Sequence, residues 1–325
     1  MPEKFDVAQV ATDAIIARLE EGVIPWRRPW RATGDGLARN LRTKRPYTGV
    51  NALLLPAMGF GSPWWLTVRQ ANDLGGAVRK GERSTPVVFW KRMERALRAD
   101  EDAPANARVV TDETGRRRLQ WFMLRYYRVF NVEQCDGLED RVPAPEQTDA
   151  EWDADAAAVA LDEALCAFCD REGIRLSHSG DRAFYHPARD RIALPDVEAF
   201  DSGESYVRTF AHEAIHATGH KSRLAREDIL AAGGMGSESY SREELTAELG
   251  AAMLALRFGC STDGDLDNAA AYIGSWLRAL RGDRRLVVAA ASRAQRAAEY
   301  IVPLDDFEAA ENDADGAAAA AETAV

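Results

Sequence analysis

The sequence predicts an α+β protein, with a mixed sheet-and-helix domain at the front and a helix-rich domain behind it. Three observations predict this. Two long strand-type runs, TPVVFWKRM and RRLQWFMLRYYRVFNV, lie in the front half. The back half carries helical patterns, one of them holding HEAIH, residues 212–216. The charge divides along the same line: residues 1–130 carry 23 Lys+Arg against 14 Asp+Glu, while the whole chain has a net charge of −11. A basic front and an acidic back point to different partners for the two halves.

The elements follow in order. An amphipathic helix spans about Val7 to Glu21 and ends at Gly22. IPWRRPW follows as an extended segment. Thr67 with Gln70 forms a capping box for a short helix closed by Gly75 and Gly76. TPVVFWKRM is a strand, residues 98–117 are a mobile loop or hairpin tip, and RRLQWFMLRYYRVFNV is a long strand pairing with the first. The Pro-rich run Arg141 to Glu151 is the expected linker, which sets domains at 1–145 and 150–303. A helix from Trp152 to Glu172 precedes three short strands, IRLSH, RAFYH and RIALP. The HEAIH helix stops near Gly219, a helix starts at Ser241, and two more fill Leu266 to Ile301. The acidic, Ala-rich residues 304–325 are expected to be disordered.

HEAIH carries the chemistry. His212 and His216 are four apart, so they project from one helix face and can grip one metal ion. Glu213 sits where zinc hydrolases keep a carboxylate that takes a proton from the water the metal activates. A third ligand is required. In YSREELTAELG, Ser241 and Glu244 form a capping box, and Glu244 and Glu248 share a face. Glu244 is the expected third ligand, Glu248 supports a ligand histidine, and Glu243 is the reserve. The cofactor is then zinc or another divalent metal. Tyr240 is a candidate oxyanion donor by its position in the sequence alone. His220 follows Gly219 directly, which fails the longer three-histidine spacing. His178 and His186 are read as ordinary strand or loop residues. Strands ahead of a metal-binding helix, with a third ligand on a later helix, are the layout of a zincin-like metallopeptidase domain.

Cys166 and Cys169 form a CxxC without a second pair, so they are core residues and not a zinc ribbon. Four cysteines suit a reducing compartment. No run approaches 18 apolar residues, and the N-terminus lacks a basic-then-apolar leader. The expectation is a cytoplasmic protein with no membrane partner.

Six of the eight tryptophans precede residue 130, interleaved with arginine and lysine. Cations that track phosphates, beside flat rings that stack on unpaired bases, suit single-stranded nucleic acid. Half or more of these rings are expected in the core. The candidate contacts are Arg27, Arg28 and Trp30 in IPWRRPW; Arg42, Lys44, Arg45, Tyr47 and Asn51 in RNLRTKRPYTGVN; and Arg79 and Lys80 in RKGE.

The runs WRRPW, TKRPYTGVNALLL, WWLTVRQANDLGGAVRKGE, TPVVFW and YRVFNVEQCDGL resemble the N-terminal domain of ArdC-type antirestriction proteins, which also heads some conjugation primases. IALPDVEAF, TFAHEAIHATGHKSRL and YSREELTAELGAAML resemble the zincin-like domain that follows it. The resemblance covers roughly residues 5–300 and leaves out the acidic tail. It implies a single-stranded DNA-binding domain and protection of incoming plasmid or phage DNA from restriction. It also implies His212 and His216 as metal ligands, Glu213 as the catalytic-type glutamate, and a glutamate of EELTAE completing the site. Two functions follow. In one, the DNA-binding surface protects and the metal site is structural. In the other, a peptidase cleaves a host protein, such as a restriction component, with the front half as targeting module. A strand-coating accessory factor in conjugation is a third.

Overall fold

A computed structural model of the protein describes residues 6–22, 37–98, 103–104, 107–111, 114–143, 154–230, 238–260, 277, 280–283 and 285–303. The candidate contacts Arg27, Arg28 and Trp30, the linker over 144–150 and the tail over 304–325 lie outside the described residues, as does the side chain of Tyr240.

Helix α1 (Val7–Glu20) is capped by Asp6, whose carboxylate accepts from the Ala8 N–H at 3.0 Å. Its stripe of Ala8, Ala11, Ile15 and Leu19 is buried. Strand β1 (Arg39–Asn40) and helix α2 (Val50–Leu54) lead to β2 (Trp64–Leu66). Helix α3 (Val68–Asp73) starts at the expected capping box. Thr67 Oγ1 accepts from the Gln70 N–H at 3.2 Å, and Gln70 Oε1 accepts from the Thr67 N–H at 2.9 Å. A short ladder joins β3 (Ala77–Val78) to β7 (Cys135–Asp136).

The spine of the front half is β6 (Arg117–Asn131), 15 residues long. On one edge it pairs antiparallel with β4 (Thr85–Ala96), from Thr85 opposite Val129 to Ala96 opposite Arg118. Its other edge is shared. The C-terminal end pairs with β2, and the N-terminal part pairs with a strand the sequence reading missed, β5 (Ala107–Thr111). The stretch 98–117 is therefore not simply a loop. A long strand leaves unpaired backbone beyond β2, and the β-branched Val109, Val110 and Thr111 suit that edge.

The back half begins with α4 (Ala154–Glu172). In the next sheet β10 (Arg191–Leu194) is central, parallel to β8 (Arg175–His178) and antiparallel to β9 (Phe184–His186). Helices α5 (Gly203–Thr218), α6 (Glu227–Leu230), α7 (Glu238–Phe258) and α8 (Leu286–Ile301) complete the described elements. Helix α7 already runs from Glu238, so Ser241 lies inside it and not at its cap. Cys169 is in the core, and Cys166 is half-buried with its thiol directed at the Asp162 carboxylate, 4.0 Å away. Among the described residues no helix is long and apolar enough to cross a membrane.

The two halves share one core. A single buried cluster joins Ile15 and Leu19 of α1, Leu53 and Leu54 of α2, and Val88 of β4 to apolar side chains of α4, α5, α7 and α8. The backbone N–H of Gly49 donates to Gln295 Oε1 of α8 at 3.1 Å, and Arg281 reaches Glu20 of α1 at 2.6 Å.

Two candidate DNA contacts belong to this interior. Tyr47 is 6 % exposed, packed with Leu55, Trp65, Val87 and Val129, and burial pushes its phenol up to about 12. Asn51 is 2 % exposed and holds both backbone groups of Val88: Nδ2 donates to the carbonyl at 2.7 Å, and Oδ1 accepts from the N–H at 2.9 Å. Neither side chain can reach a phosphate, because each is spent on tying α2 and the residues before it to the sheet. Asn51→Ala orphans two buried backbone groups and is expected to cost about 2–4 kcal/mol, read as a lowered denaturation midpoint. An unchanged midpoint would mean that Val88 finds other partners.

Candidate metal centre

Helix α5 is built to be buried. Phe210, Ala211, Ala214, Ile215 and Ala217 have no exposed surface, and Ser202 caps the start by accepting from the Ser205 N–H at 3.1 Å. Gly219 closes the helix at a point where there is no room for a side chain. A Cβ there would lie 2.8 Å from Ile229 and 2.9 Å from Arg226. Helix α7 crosses α5 closely at Gly250, where a Cβ would come within 2.7 Å of Ile215. That approach brings the glutamates of α7 up to the histidines of α5.

The imidazoles of His212 and His216 face each other with their Nε2 atoms 3.1 Å apart. Glu244 places one oxygen 3.6 Å from His212 Nε2 and the other 3.4 Å from His216 Nε2. Two donors about 2.1 Å from a tetrahedral ion are about 3.4 Å apart. The three separations, those to Glu244 made by its two different oxygens, are of the size a shared divalent cation requires, and these three residues form the metal-competent group among those described.

Glu243 and Glu244 are neighbours on α7, about 100° apart around the helix, and face different ways. Glu243 sits behind His216, with Oε1 3.2 Å from Nδ1. It is gripped by Arg226, whose Nε and Nη2 lie 2.9 and 2.6 Å from its two oxygens. Arg226 also donates to Thr218 Oγ1 and the Ile215 carbonyl, each at 2.7 Å. An Nδ1–H donated to Glu243 leaves the Nε2 lone pair of His216 for a cation. Glu248 Oε2 is 3.8 Å from His212 Nδ1, an ionic and not a hydrogen-bonding distance.

Burial is the largest influence on His216 and disfavours its charge, yet the Glu243 and Glu244 carboxylates together raise its pKa to about 9. Burial works against Glu244 and Glu243 as well, but the histidines, and Arg226 for Glu243, hold both below the usual carboxylate range. Four glutamates outnumber Arg226 and a protonated His216, an excess of negative charge that a divalent cation would balance. Glu213 is 8 % exposed, its charge acts on His216, and among the described residues it has no hydrogen-bond partner. A carboxylate beside metal-competent donors is a candidate general base.

His178 lies on β8 and His220 past the end of α5, and neither belongs to the metal-competent group found among the described residues. Arg226 had no local sequence signal, since its role depends on a residue 17 positions on. Of the surface candidates, Arg42 pairs with Asp73 at 2.9 Å, and Arg79 with Glu82 at 2.9 Å and Asp136 at 3.4 Å. Lys44 lies 4.7 Å over the Trp64 ring, Arg45 is half-buried and Lys80 is exposed.

Comparison with known proteins agrees with this architecture. Residues 5–130 match the N-terminal domain of anti-restriction factor ArdC, and residues 163–293 match a zincin-like metallopeptidase family. The antirestriction ArdC protein of plasmid R388, solved metal-free, is 36 % identical, with 91 % of this chain and 97 % of that one covered and a TM-score of 0.66. Its Mn(II)-bound structure gives 35 % identity, 94 % and 100 % coverage and a TM-score of 0.65. The uncharacterized protein y4eC of Sinorhizobium fredii is 35 % identical over 91 % of each chain. The DNA primase TraC of Escherichia coli is 36 % identical over 94 % of this chain, which spans only 20 % of that primase.

Proposed function

This chain belongs to the ArdC antirestriction family, and from that premise we propose that it binds single-stranded DNA and works as a metal-dependent peptidase that shields incoming DNA from restriction. The observation that carries the catalytic half is Glu213, buried beside His212, His216 and Glu244 with no hydrogen-bond partner among the described residues. A site that only stabilised the fold would have no use for a base there.

His212, His216 and Glu244 would hold the cation, with zinc the metal that two imidazoles and a carboxylate favour and manganese the alternative that the related Mn(II)-bound structure raises. When bound, the ion supplies a Lewis acid that polarises a carbonyl and acidifies water. Glu243 holds the Nδ1 proton of His216. Glu213 takes the proton of the attacking water and returns it to the departing amine. Glu248 supports His212 from the far side. The substrate on this reading is a host protein such as a restriction component. The exposed cations Arg42, Lys44 and Lys80 contribute phosphate contacts.

Glu213→Gln keeps the shape and removes the base. It is expected to bind zinc as the wild type does and to lose protection in a transfer assay into a restricting host. Full protection by a zinc-loaded Glu213→Gln protein would sink the peptidase reading and leave protection to the DNA-binding surface alone.

A further inference from the structure

The β4–β6 hairpin is longer than the core it covers. Side chains alternate between its two faces. Near the base one face carries Val88, with Leu124 and Tyr126 opposite, packed into the core that holds α1. The other face carries Phe89 and Tyr127, which pack on each other with centroids 5.9 Å apart and, through Phe89, on Tyr47 at 6.1 Å. Farther out the first face loses its cover. Trp90 stands opposite Leu124 at 49 % exposure, and Phe122 stands opposite Arg92 at 44 %. The two rings stand on neighbouring strands two rungs apart, and so on the same face, at a diagonal spacing of about 7–8 Å.

The strands around them are basic. β4, β5 and β6 carry eight arginines and lysines and one acid, Glu94, while in the sequence the joining segments 97–106 and 112–116 add two arginines and five acids, which leaves the whole stretch with a positive excess in a chain whose net charge is −11. Glu94 is already engaged, by Arg92 at 3.2 Å, Arg118 at 3.6 Å and the Gln120 amide at 2.7 Å. Gln120 Oε1 in turn accepts from Arg108 at 3.0 Å. These contacts hold Arg92, Arg118 and Arg108 on the sheet face that carries the rings. Trp90 and Phe122 leave aromatic surface open on this face.

We infer that this outer face is a stacking platform for single-stranded DNA: Trp90 and Phe122 take two neighbouring unpaired bases, and Arg92 and Arg118 track the adjoining phosphates. The excess positive charge selects a polyanion over an acidic-poor protein partner, and two open π-faces select unpaired bases over a duplex, whose bases present only their edges. The site rests on the single-stranded DNA reading above and uses none of the RNLRTKRPYTGVN or RKGE cations.

The test uses the full chain with fluorescently labelled oligo(dT) and a duplex of equal length, titrated at two salt concentrations. Stacking is worth about 1–3 kcal/mol per base, so Trp90→Ala and Phe122→Ala should each weaken oligo(dT) binding roughly 5- to 150-fold. Trp90→Phe should keep most of the affinity. The salt slope should not move with the ring variants, since no phosphate contact is lost, but should flatten in Arg92→Ala. Both rings are exposed, so melting should be unaltered. Wild-type binding that survives the double alanine variant would overturn this site while leaving single-stranded DNA binding intact. Equal losses for oligo(dT) and duplex would overturn base stacking. No wild-type binding to oligo(dT) would overturn the site and the underlying reading together.

Discussion

Arg226→Met is expected to cost about 3–5 kcal/mol of stability and to weaken metal binding roughly 10- to 100-fold. The arginine and Glu243 are nearly sealed, with side chains 8 % and 5 % exposed. Removing the guanidinium abandons Glu243, Thr218 Oγ1 and the Ile215 carbonyl at once. The metal-free variant can partly neutralise Glu243 by keeping His216 protonated, the form the surrounding carboxylates already favour. A cation must displace that proton, so the penalty reappears as lost affinity. Denaturation midpoints with and without zinc, and zinc competition against a chelating dye, read the two effects separately. The double variant Arg226→Met with Glu243→Gln removes the abandoned charge and should recover part of the stability. Wild-type midpoint and affinity in Arg226→Met would refute the pair's role in positioning His216.

Residues 1–148 produced alone are expected not to unfold cooperatively, although they contain the whole front sheet. Helix α1 packs against β4, β6 and α8, so the fragment lacks one wall of its own core. Ile15, Leu19, Leu53 and Leu54 are at most 1 % exposed in the intact chain. Uncovering such a side chain costs about 1.5–3 kcal/mol, and a few of these consume the net stability of an ordinary domain. The expected signature is a broad, shallow thermal transition with binding of a hydrophobic dye, against a sharp transition for the full chain. A sharp, reversible melt of the fragment would show that the front sheet is a self-sufficient unit. The same packing gives a physical link between the hairpin and the metal centre, since α8 also packs on α5 and α7.

Much of this was written locally. A hydroxyl three residues ahead of Gln70 makes a capping box wherever the chain goes, and the bonds of Thr67 and Gln70 follow. Histidines four apart on a helix share a face by covalent geometry, so the pairing of His212 and His216 needed nothing beyond helix formation. The strand runs of β4 and β6 were legible from β-branched and aromatic content, and the charge division from composition alone.

What remained open depended on residues far apart in the chain. Glu243, Glu244 and Glu248 are equivalent in sequence, and only the crossing of α7 over α5 at Gly250 turns Glu244 toward both histidines and Glu243 toward Arg226. Tyr47 and Asn51 sit in a run of cations that invites a phosphate, yet α2 folds them inward against the sheet. Of six early tryptophans, Trp65 is core and Trp90 is exposed, a difference set by where the hairpin outgrows its cover. Short-range geometry is dictated by bonds a few residues long. Which face meets which neighbour is decided by packing volume and charge pairing across the fold, where no local pattern carries the information.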